Sequence, residues 1–549
     1  MTGEKRQKAV VQPGEVWLCR AAWIVLALAV LFVVVVRLRL REMPLERDEG
    51  EYAYAGQLML EGIPPYQLAY NMKLPGTYAA YAVIMAAFGQ TPAGIHLGVA
   101  VVNIATIVMM FFLGRGLLDA VTGAVAALAY ALLSTSPALI GTAGHATHFV
   151  VLFAVAGLLL LQRACETNQR IPFFLCGLLF GLAFLMKQPG ITFGLFALVY
   201  VVWRNCDAGR LKLAAMAAQA GALGLGMALP YGLTCLWLWR AGVFREFCFW
   251  TVGYAREYLS TLPFSLLTAR LRQAGEYTIL PTTGFWVLGA AGVVMMWWER
   301  RLKGRQWFLL GFVIAAAMAT GAGLYLREHY FITFAPALAL LAGVVVSRSV
   351  DQLRRERSVE LFSALGVLLL FAFTIVATFV GHGEMWFGTS PGEASRTIYG
   401  STIFTESPAV ADYLRMNSPP TARVAVIGSE PQLYFYSGRH SATGYIYTYG
   451  LMGHHPLARR MQEEMIREIE TVGPDWIVYV DDRYSWLESP GSDRRIFEWW
   501  EGYWNAHYDL VRVIKIAGRK VPVPGQLTGD ETAPTTGSFM ILKRKPGAG

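Results

Sequence analysis

Residues 23–36 read WIVLALAVLFVVVV, an apolar run that supplies most of one membrane-spanning helix. Comparable runs recur at 98–113 (GVAVVNIATIVMMFFL) and 361–380 (LFSALGVLLLFAFTIVATFV). Of the 549 residues, 55% are hydrophobic and only 15% are charged, and the mean hydropathy is +0.41. Because lipid offers no hydrogen-bond partners to an exposed backbone, these runs predict a polytopic α-helical membrane protein.

The number of spans depends on residues 75–89, PGTYAAYAVIMAAFG. This run is apolar but shorter than the roughly 20 residues that a span needs, so it gives about twelve spans if it crosses the membrane and about eleven if it lies along the surface. With eleven spans and a cytoplasmic N-terminus, nearly every inside loop is basic, which favours this arrangement. One feature opposes it, because Arg37, Arg39 and Arg41 then follow the first span on the outer side. The inside loops are 114–120, 162–170, 204–212, 299–306 and 347–358.

The net charge of +9 has the same origin, since Lys and Arg concentrate in these short loops. It is an orientation signal and not a nucleic-acid-binding patch. We therefore expect a multi-pass protein of the plasma (inner) membrane, surrounded by membrane lipid and without a nucleic-acid partner. Its N-terminus is then cytoplasmic and its C-terminal region extracytoplasmic.

The chain divides by composition into a membrane part, residues 1–381, and a soluble domain, residues 382–549. Ser407 and Pro408 predict the N-cap and the first residue of a short helix. No glycine-rich phosphate loop follows residues 428–430, so a soluble nucleotide is not an expected ligand. The pattern predicts a small α/β domain with strands at 423–427, 476–480, 510–516 and 539–542 and a charged helix at 456–471.

A dense acidic cluster, RDEGEYAYAG at residues 47–56, begins about ten residues after the first apolar run. One interpretation is structural: Asp48 and Glu51 form a capping box at the start of a surface helix, and Tyr52 and Tyr54 are interfacial aromatics. The other interpretation is a catalytic carboxylate beside the membrane.

The acidic stretch is followed by Lys73-Leu74-Pro75-Gly76 and the short apolar run, and then by LMKQPG at 185–190 and REHYF at 327–331. This order of motifs, together with the soluble tail, resembles the membrane-embedded (GT-C type) glycosyltransferases of the protein O-mannosyltransferase and aminoarabinose-transferase superfamily. The resemblance covers nearly the whole chain. It implies a GT-C-like fold in which the first outside loop forms two surface helices over a cavity.

The resemblance also implies an enzyme that moves a monosaccharide from a polyprenyl-phosphate donor to an acceptor at the outer membrane face. Because polyprenyl phosphate leaves as a stabilised anion, one carboxylate suffices, unlike the pair used in glycoside hydrolysis. Asp48 is the predicted base, and direct attack inverts the anomeric carbon. Glu49 shares the predicted catalytic site, where Glu49 and Glu51 support Asp48 or bind a divalent cation.

The donor phosphate requires cations at the outer face. An ionisable residue between two apolar spans, such as Lys187, costs roughly 2.5–3.5 kcal/mol at mid-membrane, so it either has a function or snorkels to the surface. Glu328, His329 and Tyr330 are predicted supports of the site, or else a solvated turn with an interfacial tyrosine. The predicted phosphate-binding residues are Lys73, Lys187, Arg245, Arg256 and Arg327.

A divalent cation, Mg²⁺ or Mn²⁺, is the one cofactor that the sequence suggests, with Asp48 and Glu49 as candidate ligands. His145 and His148 share a helical face, but two ligands do not complete a metal site. Relatives often carry an acidic residue in this loop, whereas none lies between Leu139 and Val150. This departure weakens the case for a metal or for a second carboxylate.

Two other classes of membrane protein would show the same sequence features. A lipid or sugar transporter, or a flippase, also needs many spans and intramembrane cations, although no internal repeat is visible in the sequence. A non-catalytic membrane scaffold would bind a partner through its C-terminal region. The residues do not distinguish one sugar from another, nor a protein acceptor from a glycolipid or a polysaccharide.

Overall fold

The computed structural model describes residues 13–207, 213–260, 266–354, 358–518 and 536–547. Four residues of the predicted basic loops, Arg210, Lys212, Arg355 and Arg357, lie outside the described residues. Helices dominate the first part of the chain. They are α1 (Pro13–Arg39), α2 (Arg47–Leu60), α3 (Gly76–Phe88), α4 (Pro92–Leu117), α5 (Ala120–Ser134), α6 (Ala146–Thr167), α7 (Arg170–Met186), α8 (Ile191–Asp207), α9 (Leu213–Arg240), α10 (Phe244–Cys248), α11 (Ala255–Ser260), α12 (Leu267–Ala274), α13 (Thr283–Trp298), α14 (Gln306–Gly321), α15 (Ala335–Arg354) and α16 (Ser358–Gly383).

The prediction of a polytopic helical membrane protein is confirmed. Within the described residues, eight stretches are long and apolar enough to cross a membrane, and three shorter apolar helices, α3, α5 and α7, accompany them. The eleven predicted spans correspond to α1, α4–α9 and α13–α16, and this count stays a prediction. Helix α3 has 13 residues, so it is about 20 Å long, whereas the hydrocarbon layer is about 30 Å thick. The eight stretches are Val16–Arg39, Pro92–Leu117, Ala146–Thr167, Leu213–Arg240, Leu267–Trp298, Gln306–Leu324, Ala335–Arg354 and Leu361–Gly388.

Helix α5 packs against α1, α4 and α15 and is almost entirely buried. Its sequence is rich in alanine and contains Gly123, and small residues let membrane helices approach closely. A Cβ atom on Gly123 would lie 2.4 Å from the carbonyl oxygen of Phe111 on α4. A Cβ atom on Gly343 of α15 would lie 2.6 Å from the carbonyl oxygen of Thr122. Glycine is therefore required at both helix crossings.

The loops between helices gather into two groups, as the eleven-span topology requires. In one group, the backbone N–H of Gly144 donates to Glu49 at 2.5 Å, and Lys187 lies on the ring of Tyr330. In the other group, Arg301 donates to Asp119 at 2.9 Å. The first group contains the predicted outside loops and the second the predicted inside loops. Which face is cytoplasmic stays a prediction.

One of the three basic residues that oppose this topology, Arg37, has a structural role. Arg37 is 4% exposed, and its guanidinium donates to Asn103 on α4 at 3.1 Å. It also donates to the carbonyls of Gly141 and Thr142 at 2.8 and 3.0 Å. A buried guanidinium that binds carbonyl groups does not report the side of the membrane, so Arg37 should not be counted with the loop charges.

The first outside loop contains α2 and α3, which pack against each other. A capping box starts α2, but its residues are Glu46 and Glu49: Glu49 N donates to the Glu46 side chain at 3.0 Å, and Glu46 N to the Glu49 side chain at 3.4 Å. The interpretation of Asp48 and Glu51 as the capping box was therefore wrong by two residues. The carboxylate of Asp48, in the first turn of α2, does not take part in this cap.

The C-terminal region has a five-stranded sheet in the order β2-β1-β3-β5-β4, and the predicted α/β domain is confirmed. Strands β1, β2 and β3 are parallel, and β5 pairs antiparallel with β3 and β4. The four predicted strands are all present. The elements are α17 (Pro391–Tyr399), α18 (Ile403–Asn417), β1 (Arg423–Ile427), α19 (Gln432–Ser437), β2 (His440–Ser441), α20 (Ala458–Val472), β3 (Trp476–Asp481), α21 (Arg483–Trp486), α22 (Arg495–His507), β4 (Tyr508–Ala517) and β5 (Thr536–Arg544).

The predicted N-cap at Ser407 was wrong, because α18 begins at Ile403 and contains Pro408. Ile403 and Phe404 are 2% and 3% exposed. Their burial favours the extra turn despite the hydrogen bond that Pro408 cannot donate. The hydroxyl of Ser407 donates instead to the carbonyl of Ile403, at 2.7 Å.

The sheet domain packs directly on the first outside loop. The rings of Tyr54 and Tyr434 stack with centroids 5.0 Å apart, and a Cβ atom on Gly50 would lie 2.6 Å from Gln432. Val424 and Val426 of β1 belong to the same buried cluster as Tyr54 of α2. The division at residue 381 stays a prediction, since α16 continues to Gly383.

Candidate active site

Asp48 stands in the first turn of α2, where the helix dipole favours a negative charge. Its Oδ1 accepts from the Lys73 ammonium at 2.7 Å, and the carboxylate is 22% exposed. Burial alone would raise the pKa of Asp48, but Lys73, His329 and His145 hold it well below its usual value. Asp48 is therefore an ionised, partly accessible carboxylate, which is what a general base requires.

Lys73 connects Asp48 to Glu51. Its ammonium donates to Glu51 Oε2 at 2.6 Å and lies 4.6 Å from the centroid of the Tyr52 ring. Glu51 is fully buried, and the hydroxyl of Tyr78 donates to its other oxygen at 2.5 Å. Burial lowers the pKa of Lys73, but the two carboxylates raise it more strongly, so that the pKa lies well above its usual value. Lys73 is thus a permanent cation already paired twice, and the supporting role of Glu51 stays a prediction.

Glu49 lies on the opposite side of α2 and is fully buried. Its Oε1 contacts His96 Nε2 at 3.0 Å and accepts from Gly144 N at 2.5 Å, while Oε2 accepts from Glu46 N. Burial raises the pKa of Glu49, but His96 and Gly144 lower it more strongly, so that the pKa lies below its usual value. Oε1 therefore holds α2 against α4 and the loop before α6, Oε2 caps α2, and Glu49 does not share the exposed surface of Asp48.

Two histidines face Asp48 from distant parts of the chain. The rings of His145 and His329 stack with centroids 4.0 Å apart, and His145 Nδ1 lies 3.9 Å from Asp48 Oδ2. Neither ring nitrogen of His145 has a hydrogen-bond partner among the described residues. Burial lowers the pKa of His145 to about 4 and that of His329 well below its usual value. Both rings are therefore neutral near pH 7, the form that binds metal ions.

Asp48, His145 and His329 form one group in which a ligand atom from each residue lies within 4.8 Å of the others. His329 was predicted as a support of the site, and it lies in this group. His148, the other half of the proposed histidine pair, turns away and contacts the carbonyl of Gly141 at 3.0 Å. Glu49, the second candidate ligand from the sequence, lies outside the group.

Lys187 and Arg327 bring further positive charge to the site. The Lys187 ammonium lies 3.6 Å from the centroid of the Tyr330 ring, and the Arg327 guanidinium 5.6 Å from that of Tyr325. No carboxylate of the described residues lies within ion-pair distance of either cation. Burial lowers the pKa of Lys187 to about 7, although Asp48 opposes this shift. Burial also opposes the charge of Arg327, but Tyr258, Tyr330 and Asp48 raise its pKa.

The remaining predicted residues lie at different distances from this group. Glu328 is 8% exposed, and burial raises its pKa to about 6. Arg245 and Arg256 are exposed on α10 and α11, and no described contact joins either to Asp48 or its neighbours. The structure therefore brings Lys73, Lys187 and Arg327 together but not Arg245 and Arg256.

Two residues that were not predicted also reach the site. The hydroxyl of Tyr447, from the C-terminal domain, donates to Asp48 Oδ1 at 3.2 Å. The Arg270 guanidinium lies 4.4 Å from the centroid of the Tyr325 ring that Arg327 also contacts. Neither residue stands in a motif, and Tyr447 is 399 residues from Asp48, so local spacing carries no signal for them.

Residues 73–233 match the family model of dolichyl-phosphate-mannose-protein mannosyltransferases. ArnT from Cupriavidus metallidurans, solved with bound undecaprenyl phosphate, is similar with a TM-score of 0.53 and 14% identity over 96% of this chain and 97% of that chain. The chain has the GT-C glycosyltransferase fold. No curated protein matches the sequence.

The same fold occurs in the archaeal oligosaccharyltransferase AglB from Archaeoglobus fulgidus, solved with an inhibitory peptide and a dolichol-phosphate. The TM-score is 0.55 and the identity 14%, over 84% of this chain and 69% of that chain. A structure of that oligosaccharyltransferase with Zn and sulfate gives a TM-score of 0.51. The resemblance that the acidic and K-x-P motifs indicated is confirmed at the level of the fold.

Proposed function

We propose that this protein transfers a monosaccharide from a polyprenyl-phosphate donor to an acceptor, with inversion, at the outer face of the membrane. One observation carries the proposal: an ionised carboxylate, Asp48, lies beside two cations, Lys187 and Arg327, that pair with no carboxylate of the described residues. Such a site offers a base for a nucleophile and a counter-charge for a phosphate. The GT-C fold of structures solved with undecaprenyl phosphate and dolichol-phosphate supports this reading.

In the proposed reaction, the acceptor hydroxyl attacks the anomeric carbon while Asp48 takes its proton. The bond between the anomeric carbon and the phosphate oxygen breaks, and the phosphate leaves as an anion. Lys187 and Arg327 hold that phosphate and stabilise the charge that develops on it. Lys73 binds Asp48 and keeps it ionised, so it serves the base more directly than the phosphate.

The group Asp48, His145 and His329 fits a divalent cation. It offers one carboxylate and two neutral imidazoles, and the buried nitrogens of His145 have no hydrogen-bond partner in the part of the chain that the structure describes. Imidazole ligands favour a transition metal such as Zn²⁺ over Mg²⁺. A bound cation would supply further positive charge near the leaving phosphate. Zn²⁺ should therefore bind the intact chain stoichiometrically in a metal-binding assay, and His329→Ala should lose this binding.

The experiment that tests the function offers a panel of labelled polyprenyl-phosphate sugars to membranes that contain the chain. Protein, glycolipid and polysaccharide acceptors are supplied together, and the anomeric configuration of the product is determined by NMR. Transfer with inversion from one donor supports the proposal and identifies the sugar. Movement of the lipid across the membrane without transfer supports a flippase instead. Each of these two results would be evidence against a non-catalytic scaffold.

The proposed side of the reaction follows from the loops. The basic loops between spans favour the cytoplasmic side, and the loops of the candidate active site are at the opposite end of the helices. Cysteine labelling at Lys303, in the α13–α14 turn, and at Met416, which is 80% exposed on α18, should report the inside and the outside, respectively. Reversed accessibility would place the site on the cytoplasmic face.

A further inference from the structure

The carboxyl-terminal ends of the parallel strands β1 and β3 lie against the start of α2. After β1, Glu430 pairs with Arg47 at 2.7 Å, and the Arg47 Nε atom donates to the carbonyl of Ser429 at 3.0 Å. After β3, Ser485 donates to Glu430 at 2.6 Å. In open α/β sheets, ligands bind at this edge. Here, the edge faces the helix that carries Asp48.

The loop that follows β2, residues 442–449, is held at both ends. Near its start, Tyr70 N donates to the carbonyl of Gly444 at 2.7 Å, and Glu468 accepts from Gly444 N at 2.9 Å. A Cβ atom on Gly444 would lie 2.2 Å from the Tyr70 ring, so only glycine fits. At the other end, the hydroxyls of Thr448 and Ser429 are 2.9 Å apart. The loop is therefore fixed to both the sheet and the first outside loop.

Tyr447 is the residue of this loop that reaches Asp48. Its hydroxyl donates to Asp48 Oδ1, the same oxygen that accepts from Lys73. Its ring centroid lies 5.6 Å from the Lys73 ammonium, and the side chain remains partly exposed. Burial and the nearby Asp48 raise the pKa of Tyr447 well above its usual value, which keeps the hydroxyl protonated as a donor.

We propose that Tyr447 is a positioning residue of the active site, supplied by the C-terminal domain, and this inference rests on the proposed transferase function. Tyr447 and Lys73 together occupy Asp48 Oδ1 and fix the rotation of the carboxylate. Asp48 Oδ2 is then the oxygen that faces the acceptor. The C-terminal domain thus contributes a residue to the active site.

The fixed rotation matters because a base must point at the proton that it takes. Without the tyrosine, Lys73 alone holds Oδ1, and a single ammonium on a flexible stem permits the carboxylate to turn. Misorientation of a catalytic group lowers the rate of the bound complex without changing how tightly the substrates bind. The expected signature is a lower kcat with an unchanged KM.

The test compares Tyr447→Phe with Tyr445→Phe in the full-length chain. Tyr445 stands in the same loop, and its hydroxyl also donates to a carboxylate, that of Glu464 at 3.1 Å, away from the site. Tyr447→Phe should lower kcat about tenfold, as expected for a hydrogen bond to a charged group, with donor and acceptor KM within about twofold. Tyr445→Phe should keep the kcat of the intact chain.

Thermal unfolding of both variants controls for stability. If Tyr447→Phe is unstable, Tyr447→His, which keeps a ring and an N–H donor, is compared with Tyr447→Leu, which keeps neither, and the histidine variant should be faster. An unchanged kcat in Tyr447→Phe, or the same loss in both phenylalanine variants, would overturn the positioning role while leaving the transferase function intact. Absence of transfer by the intact chain itself would overturn both.

Discussion

The two ends of the helical bundle use charge in opposite ways. At the end of the basic loops, Asp119 accepts from Arg301 at 2.9 Å and from Ser347 at 2.5 Å, and Glu299 binds Arg301 again. At the other end, Lys187 and Arg327 rest on aromatic rings, and among the described residues no carboxylate pairs with either. Paired charges at the first end join helices, whereas the two cations at the second end are the proposed binding groups for the donor phosphate.

The largest expected difference between the two ends is in the donor KM, after removal of Lys187 or Arg327. Lys187→Ala or Arg327→Ala should each raise the donor KM about 10- to 100-fold, because a charge-assisted hydrogen bond to phosphate contributes about 1.5–3 kcal/mol. Arg301→Ala, at the other end, removes an equal charge and should leave the donor KM unchanged. Equal effects at both ends in a radiolabelled transfer assay would mean that net charge, and not the site, attracts the donor.

The donor KM should also depend on pH through Lys187. Burial lowers the pKa of Lys187 to about 7, so the ammonium is present below that pH and lost above it. The donor phosphodiester keeps its charge throughout this range. Donor KM should therefore rise about tenfold between pH 6 and pH 8, as the charged fraction falls. Lys187→Arg should abolish the rise, because arginine stays charged; a rise that persists in this variant would assign it to another group.

The smallest effect is on stability at the end of the basic loops. Asp119 caps α5, since its carboxylate accepts from Thr122 N at 2.9 Å, and it also binds Arg301 and Ser347. Asp119→Ala should lower the free energy of unfolding by about 1–2 kcal/mol with unchanged transfer kinetics. Thermal unfolding in detergent measures the first and the transfer assay the second. A loss of kcat would show that the two ends are coupled.

Much of the fold could be predicted because its signals are local. The strand at residues 423–427 was located to the residue, since a β-branched run between turns needs no other information. The surface position of residues 75–89, which rests on their length and on the charges of later loops, stays a prediction. The predictions failed where tertiary contacts outweighed local signals, as with burial of Ile403 at the start of α18 and the guanidinium of Arg37 among carbonyl groups.

The candidate site could be predicted only in part, for the same reason. Asp48, Lys73 and Lys187 stand in short motifs, and the structure brings them together. The group with His145 and His329 joins residues from three distant segments, which no spacing rule connects. The motif did not separate Asp48 from its neighbour Glu49. Asp48 faces the site, whereas the turn of the helix directs Glu49 into the core.

The central claim is that Asp48 is the base of a transfer reaction, and Asp48→Asn tests it most directly. Asparagine keeps the shape of the side chain but cannot accept the acceptor proton, so kcat should fall at least about 100-fold. Donor binding, measured separately with labelled lipid, should be retained, and Asp412→Asn, an exposed carboxylate on α18, should behave as the intact chain. Retained transfer in Asp48→Asn, with the chain folded, would contradict the account and move the base elsewhere.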